Sequence, residues 1–595
     1  MSFNDAVARQ FEQMSVMLEL LGADRFRVNA YARAARTVEG LGQDLEPIAG
    51  DLKALQGLDG IGKSTAEKIA EFAKSGRIAE HDELAAKVPA TLMDLLEIQG
   101  LGPKTVRLLW KDKGVETIDQ LKAVIEDGSI LELPRMGAKT VENIRQAIAF
   151  NESSGGRLHL GVAMPIAERI VEYMRGVDGI ERVAFAGSLR RGQETIGDID
   201  VLVVASDASG AHEAFREMPG VEKVLASGES KTSVRCSLAA DAGRWGDADT
   251  NPSVQADLRV VPGESWGAAL MYFTGSKEHN VRLREIALRK KLTLNEYGLF
   301  PEDDEKEPPQ KRGVKAVAGK TEEEIYKKLG VAFVPPELRE DRGELSAEIP
   351  DDLIELADIK AELHAHTTAS DGLLSLEQLV EGARQRGFHT IAVTDHSKSA
   401  VQANGLSIDR LRAQIEQVHA FNKSAKDITV LAGSEVDILA DGSLDYDDDL
   451  LAELDMIVAS PHAALSQDPK AATRRLIRAI EHPLVRVLGH PTGRLINRRP
   501  GLEPAMDEII AAAKEHDVAL EINAHWMRLD LRDRHVRAAV EGGALLAIDC
   551  DVHASEDFDN LRYGVLTGRR GWLPRDRCIN TWPKAKLHNW LKRSL

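Results

Sequence analysis

The stretch GSLRRGQETIGDIDVLVVA, residues 187–205, decides the reading of this chain. In DIDVLVV alternate residues of a strand face the same side, so Asp198 and Asp200 project together. Two adjacent carboxylates repel unless they hold divalent cations. A third, Asp257, stands in QADLRVV, another strand-like run able to pair beside the first. Three carboxylates meeting across two strands suit a pair of Mg²⁺ ions about 3.5–4 Å apart. Just upstream, Gly187, Ser188, Arg190 and Arg191 form a strand-to-helix turn suited to a triphosphate. A lone DxD also occurs at turns and solvated edges. The GS-x-RRG ahead of it and the aspartate downstream make it a constellation.

Toward the N-terminus, residues 1–150 read as helices with short turns, and one pattern occurs three times. It appears as LDGIGKSTAEKI (58–69), IQGLGPKTVRLL (98–109) and LPRMGAKTVENI (133–144). Gly60, Gly62, Gly100 and Gly102 let the backbone turn tightly, and the helix that follows presents its N–H groups to a phosphate. The third copy carries Arg135 in place of the first glycine. The net charge of −19 excludes a protein that holds nucleic acid by bulk electrostatics, so any such contact must be local. Backbone devices of this kind meet that condition. No apolar run reaches the ~18 residues of a membrane span. Cys236, Cys550 and Cys578 form no CxxC pair, which argues against a disulfide framework or a thiolate zinc site. A cytoplasmic protein is expected.

Toward the C-terminus, strands alternate with helices from about 180 to 300. A segment rich in Pro, Glu, Asp and Lys (301–357) then precedes a regular β/α alternation. There, apolar runs end repeatedly in metal-ligand residues: IKAELHAH, TIAVTDH, TVLAGSEVDI, MIVASPH, VRVLGHP, ALEINAH and LLAIDCDVH. Side chains at strand C-terminal ends line the mouth of a β/α barrel. Any one such histidine is ordinarily a core residue, but seven consecutive strand ends with the same habit are not explained that way. Imidazoles and carboxylates without cysteine suit Mn²⁺, Zn²⁺ or Fe. His81, His212, His389, His419, His482, His516 and His535 stand in helical or loop contexts and are read as structural.

The motif at 187–205 resembles the nucleotidyltransferase superfamily. YFTGSKEHNVRLR (272–284) and LNEYGL (294–299) narrow this to family X DNA polymerases, the DNA polymerase β group. The resemblance implies Asp198, Asp200 and Asp257 as metal ligands and Ser188, Arg191 and Gly197 at the triphosphate. It implies Tyr272, Phe273 and Gly275 near the sugar, with Asn280 and Arg284 facing the minor groove. It also implies Lys68 as the lysine that attacks an abasic deoxyribose, supported by Tyr31, with Lys63 a possible source of neighbouring charge. Ile196 replaces a phosphate-contacting Ser, Lys277 an Asp, and Gln255 an Arg that orients the third aspartate. The region after 358 resembles the PHP (polymerase and histidinol phosphatase) family. That resemblance implies His364, His366, Asp371, His396, Glu435, His462, His490, Asp551 and His553 as ligands of a trinuclear site, and leaves His525 out.

The expected fold is multidomain, α+β and α/β. The expected parts are a lyase-like helix-hairpin-helix domain (1–85), a fingers-like one (86–150) and a nucleotidyltransferase palm (151–260). A thumb-like subdomain (261–335), a linker (336–358) and a distorted seven-stranded PHP barrel (359–595) follow. The expected activity is gap filling in base excision or break repair, with two Mg²⁺ or Mn²⁺ ions in the palm. Up to three Mn²⁺, Zn²⁺ or Fe ions in the barrel would serve 3′–5′ exonuclease action. The expected partners are gapped or recessed double-stranded DNA and deoxynucleoside triphosphates, for a nucleoid-associated monomer with no membrane contact. The alternatives are an exonuclease with vestigial polymerase activity and a non-catalytic DNA-end scaffold.

Overall fold

A computed structural model of the chain describes residues 3–39, 45–58, 61–96, 98, 101–134, 136–138, 140–142, 144–145, 148, 157–237, 253–303, 305 and 307–592. The chain divides into two compact units. One comprises residues 1–156 with 238–252 and 497–500; the other comprises 157–237, 253–496 and 501–595.

The first unit is helical among the described residues. Helix Phe3–Leu21 buries Phe11, Met14 and Leu18 at i, i+3 and i+7 and packs on helix Arg25–Glu39. Helices Lys63–Ser75 and Pro103–Lys113 open at Gly62 and Gly102, which offer no side-chain cap, so the first N–H groups are left for another acceptor. Gly60, Gly100 and Arg135 lie outside the described residues.

In the second unit, β1 (Ile180–Phe185), β2 (Asp198–Ala205), β3 (Val221–Ser227), β4 (Lys231–Ser237) and β5 (Ser253–Val260) form a sheet ordered β1-β2-β5-β4-β3. Only β2 and β5 are parallel, and Asp200 stands opposite Asp257. Helices Trp266–Thr274, Lys277–Arg289 and Glu322–Leu329 follow, sharing a core with Met271, Leu283 and Ile325. At its centre the buried His279 bridges Glu344 Oε1 (2.5 Å) and the Tyr326 hydroxyl (3.0 Å). In the segment 336–358, Leu338, Arg339 and Glu344 are buried.

Seven parallel strands then pair in sequence order: β6 (Ala361–Glu362), β7 (Thr390–Val393), β8 (Thr429–Asp437), β9 (Met456–Ser460), β10 (Val487–Leu488), β11 (Ala519–Asn523) and β12 (Leu545–Asp549). A parallel bridge between Ala365 and Val552 draws the last strand back to the first. The result is a nearly closed, distorted barrel. Strands covered on both faces read as continuous apolar runs, and β7, β9 and β11 are buried throughout. Ala361, Ala392, Val458, Val487 and Ala519 cluster with Trp582 and Leu587 of the C-terminal segment. The helical region, palm and seven-stranded barrel are those expected from the sequence. Among the described residues, no helix is long and apolar enough to cross a membrane.

Two candidate metal centres

In the palm, Asp198 and Asp200 open β2 and Asp257 lies on the neighbouring β5. Burial, then the charges of Asp198 and Asp257, push Asp200 up to about 6. Burial opposes ionisation of Asp257 too, but hydrogen bonds from Lys231, Ser233 and Gln255 outweigh it and hold its carboxyl below the usual range. Lys231 Nζ stands 2.7 Å from Asp257 Oδ2, and Gln255 Nε2 donates to Oδ1 at 3.1 Å. The trio is not among the groups whose ligand atoms all lie within 4.8 Å of one another. The groups that do so, among the described residues, all lie in the barrel. Gly187 has φ +66°, and a Cβ there would meet Asp200 Oδ2 at 2.6 Å, so the turn approaches the carboxylate only with glycine.

The two arginines of that turn differ. Arg190 is consumed by the fold: its guanidinium takes both oxygens of Glu322 (2.8 and 2.7 Å) and the Thr274 hydroxyl (2.9 Å). Arg191 gives Nε to Glu340 Oε1 (2.9 Å) and Nη1 to the Thr274 carbonyl (2.8 Å). Ser188 is half-buried, Gly197 is exposed, and Ile196 is fully buried. Tyr272 and Phe273 form an edge-on pair at 5.2 Å, with the Arg259 guanidinium over the Phe273 ring. Asn280 Nδ2 donates to the carbonyls of Tyr272 (2.7 Å) and Gly275 (3.2 Å), fixing the turn between them. Arg284 is exposed, its Nε on the Asn280 carbonyl.

In the barrel, six of the seven strands end by delivering ligand-type side chains to one mouth. His364 and His366 follow β6, and His396 follows β7. Glu435 lies on β8, His462 and His490 follow β9 and β10, and Asp551 and His553 follow β12. Asp371 comes from the loop after His366. Three overlapping groups have donor atoms within 4.8 Å of one another: His366, Asp371, His396 and His553; His364, His366 and Asp551; and His396, Glu435 and His462. His490 Nε2 lies 2.9 Å from Glu435 Oε1. Several buried donor atoms here face one another without hydrogen-bond geometry, among them His396 Nδ1 and Glu435 Oε2 at 2.9 Å and His366 Nε2 and Asp551 Oδ1 at 3.1 Å, with His364 Nε2 3.3 Å from Glu435 Oε1. Buried donor atoms crowded together without good hydrogen-bond geometry are costly, and their convergence on one mouth suits ion coordination. His490 and Asp551 also take positive φ, +22° and +55°. Such strain persists where the surroundings over-determine the geometry.

The electrostatics follow the charges crowded here. Burial disfavours the charged forms of His364, His396, His462 and His553, but the surrounding carboxylates outweigh it and push all four up, so these rings must shed protons to bind an ion. Burial, then His553 and His396, drive His366 down to about 4, the neutral form a ligand needs. Burial disfavours the charges of Glu435 and Asp551, but the surrounding histidines hold both carboxyls well below their ordinary values. Supporting carboxylates orient the rings: Glu521 Oε1 lies 2.6 Å from His364 Nδ1, and Asp437 Oδ1 lies 2.5 Å from His462 Nδ1. Sequence reasoning missed both, although Glu521 sits in the strand-end run ALEINAH. His525, left out of the ligand set, stacks on Trp526 at 5.7 Å.

In the helical unit, Lys68 Nζ pairs with Glu80 Oε2 (3.0 Å) and lies over the Tyr31 ring (5.6 Å), while the Tyr31 hydroxyl donates to the same carboxylate. Burial lowers the Lys68 pKa, but Glu80 and Tyr31 outweigh it and the net shift is upward. Glu80 was not foreseen. Lys63 pairs instead with Glu67, at 3.9 Å.

Residues 2–78 match a helix-hairpin-helix domain, 92–149 a SAM-like helix-hairpin-helix tandem and 163–251 the DNA polymerase beta palm. Residues 269–340 match the DNA polymerase beta thumb and 362–525 the PHP domain. The chain is 35% identical over 589 residues to the DNA polymerase/3′-5′ exonuclease PolX of Bacillus subtilis (strain 168), covering 99% of each chain. It is 26% identical to a DNA polymerase lambda of Arabidopsis thaliana, over 56% of this chain and 62% of the relative. For the lambda polymerase of Rattus norvegicus the identity is 24%, over 57% and 56%. The chain therefore belongs to the family X DNA polymerases that carry a C-terminal PHP domain.

Proposed function

We propose that this chain fills short gaps in DNA with its palm and trims 3′ ends with its barrel. The observation that carries the reading is the presence, in one chain, of an aspartate trio across β2 and β5 and a mouth where buried imidazole and carboxylate donor atoms converge. In the palm, Asp198, Asp200 and Asp257 hold two divalent ions, and their all-oxygen donor set suits Mg²⁺ or Mn²⁺. Ser188, Arg191 and Gly197 receive the triphosphate. Tyr272, Phe273 and Gly275 border the sugar, and Asn280 and Arg284 border the nascent pair. In the barrel, the nine residues from His364 to His553 hold up to three ions, and imidazole with carboxylate suits Mn²⁺, Zn²⁺ or Fe. When bound, the ions at either site neutralise phosphate oxygens and lower the pKa of the attacking hydroxyl or water.

The helix openings at Gly62 and Gly102 grip DNA phosphates through backbone N–H groups, which suits an acidic chain. Lys68, with Tyr31, receives the sugar at a 5′ abasic end. The chain acts as a monomer in the cytoplasm, at the nucleoid. The test is metal-dependent extension and 3′ trimming on gapped and recessed DNA. Extension and trimming that both need added metal are expected. Trimming alone would leave an exonuclease with a vestigial palm, and binding without turnover would leave a scaffold.

A further inference from the structure

The Arg191 guanidinium, on the palm turn, is clamped on two sides. Glu340 takes its Nε and the Thr274 carbonyl its Nη1, which fixes its plane and leaves Nη2 without a partner among the described residues. Glu340 is itself held from the barrel. Arg570, the last residue of helix Leu561–Arg570, pairs with Glu340 Oε1 through Nη1 at 2.9 Å and donates from the same nitrogen to the Arg191 carbonyl at 2.8 Å. Its other edge is anchored on Asp533 Oδ2 at 2.7 Å, and Asp533 also receives Arg342 at 2.8 Å. The side chain of Arg570 is 3% exposed and that of Glu340 11%, so water screens the chain little. The same helix presses on the turn itself: a Cβ at Gly192, where φ is +65°, would meet Leu566 Cβ at 3.2 Å.

We propose that Arg570 of the phosphoesterase domain is a positioning residue for DNA synthesis, acting through Glu340 to aim the Arg191 guanidinium at the incoming nucleotide's triphosphate. The physical reason is that an arginine binds phosphate best when its fork is already oriented. Unheld, the long Arg191 side chain spends binding energy on its own ordering. Glu340 alone would also pull Arg191 into a closed pair. Sharing its charge with Arg570 lets it orient Arg191 while leaving positive charge for phosphate. The inference rests on the reading of Arg191 as a triphosphate ligand.

The test is steady-state gap filling by the full chain carrying Arg570→Met, Arg570→Lys, Glu340→Gln, Arg191→Ala, or Arg570→Met with Arg191→Ala. Arg570→Met should raise the nucleotide KM about tenfold with a smaller change in kcat. Arg570→Lys should recover part of the loss, and 3′ trimming should stay at the wild-type rate. In the Arg191→Ala background, Arg570→Met should add nothing. An equal effect of Arg570→Met in both backgrounds, or a wild-type KM in Arg570→Met, overturns the proposal while leaving the reading of Arg191 intact. A wild-type KM in Arg191→Ala overturns that reading and the proposal with it. If Arg570→Met fails to fold by thermal melting, Arg570→Lys and Glu340→Gln decide, and wild-type KM in both overturns the proposal.

Discussion

His364 Nδ1 lies 2.6 Å from Oε1 of Glu521, and both side chains are fully buried. The contact turns the opposite nitrogen, Nε2, toward Glu435 and Asp551, at 3.3 and 3.6 Å. The other oxygen of Glu521 accepts from the His490 backbone N–H at 2.5 Å, so one carboxylate braces two strand ends. Glu521→Gln should lower metal affinity or 3′ trimming by roughly 10–100-fold, as loss of a supporting carboxylate does elsewhere. Metal titration and exonuclease assays check it, with primer extension expected at the wild-type level. Trimming at full rate would mean that His364 needs no such brace.

The two centres should fail separately. Asp198→Ala or Asp200→Ala should reduce extension to background and leave trimming in place. His364→Ala, His396→Ala or Glu435→Ala should do the reverse. Both activities are read on each variant with gapped and recessed DNA, after folding is checked by circular dichroism. Parallel loss of both in a folded variant would sink the two-centre reading.

Lys68 is a nucleophile only as the free amine. Its pairing with Glu80 and Tyr31 raises its pKa, so less free amine exists at any given pH than for an ordinary lysine. Borohydride trapping on DNA with a 5′-deoxyribose phosphate should therefore be weak at pH 7 and grow as pH rises. Glu80→Gln should increase the yield at pH 7, and Lys68→Ala should abolish it. An adduct undiminished in Lys68→Ala would leave this lysine to phosphate binding alone.

Burial opposes the charge of Asp533, but Arg570 and Arg342 outweigh it and hold its carboxyl at about 2. Because the folded value lies below the unfolded one, the ion pairs stabilise fully above about pH 4 and lose that contribution as pH falls through about 2. Asp533→Asn should cost about 2 kcal/mol at pH 7 and roughly half of that at pH 3. Urea denaturation of wild type and variant across this range measures it. A deficit independent of pH would assign the loss to packing.

The sequence alone determined what short periods and local motifs carry. Asp198 and Asp200 share a face because a strand repeats every two residues, and the histidines fall at strand ends because each apolar run stops where the barrel opens. The helical region, the palm and the seven strands were legible for the same reason. The partners that tune these groups were not. Glu521 stands 157 residues from His364, and Arg570 stands 230 residues from Glu340. Gln255 was noticed only as a replacement, whereas Lys231, its companion on Asp257, reaches the carboxylate from the adjacent strand β4. Glu80, which decides the state of Lys68, is one acidic residue among several on an exposed-looking helix. A carboxylate's effect on a neighbour depends on distance and on the water excluded between them. Both are set when the strands close and the helices pack, so only the tertiary structure decided which charges meet.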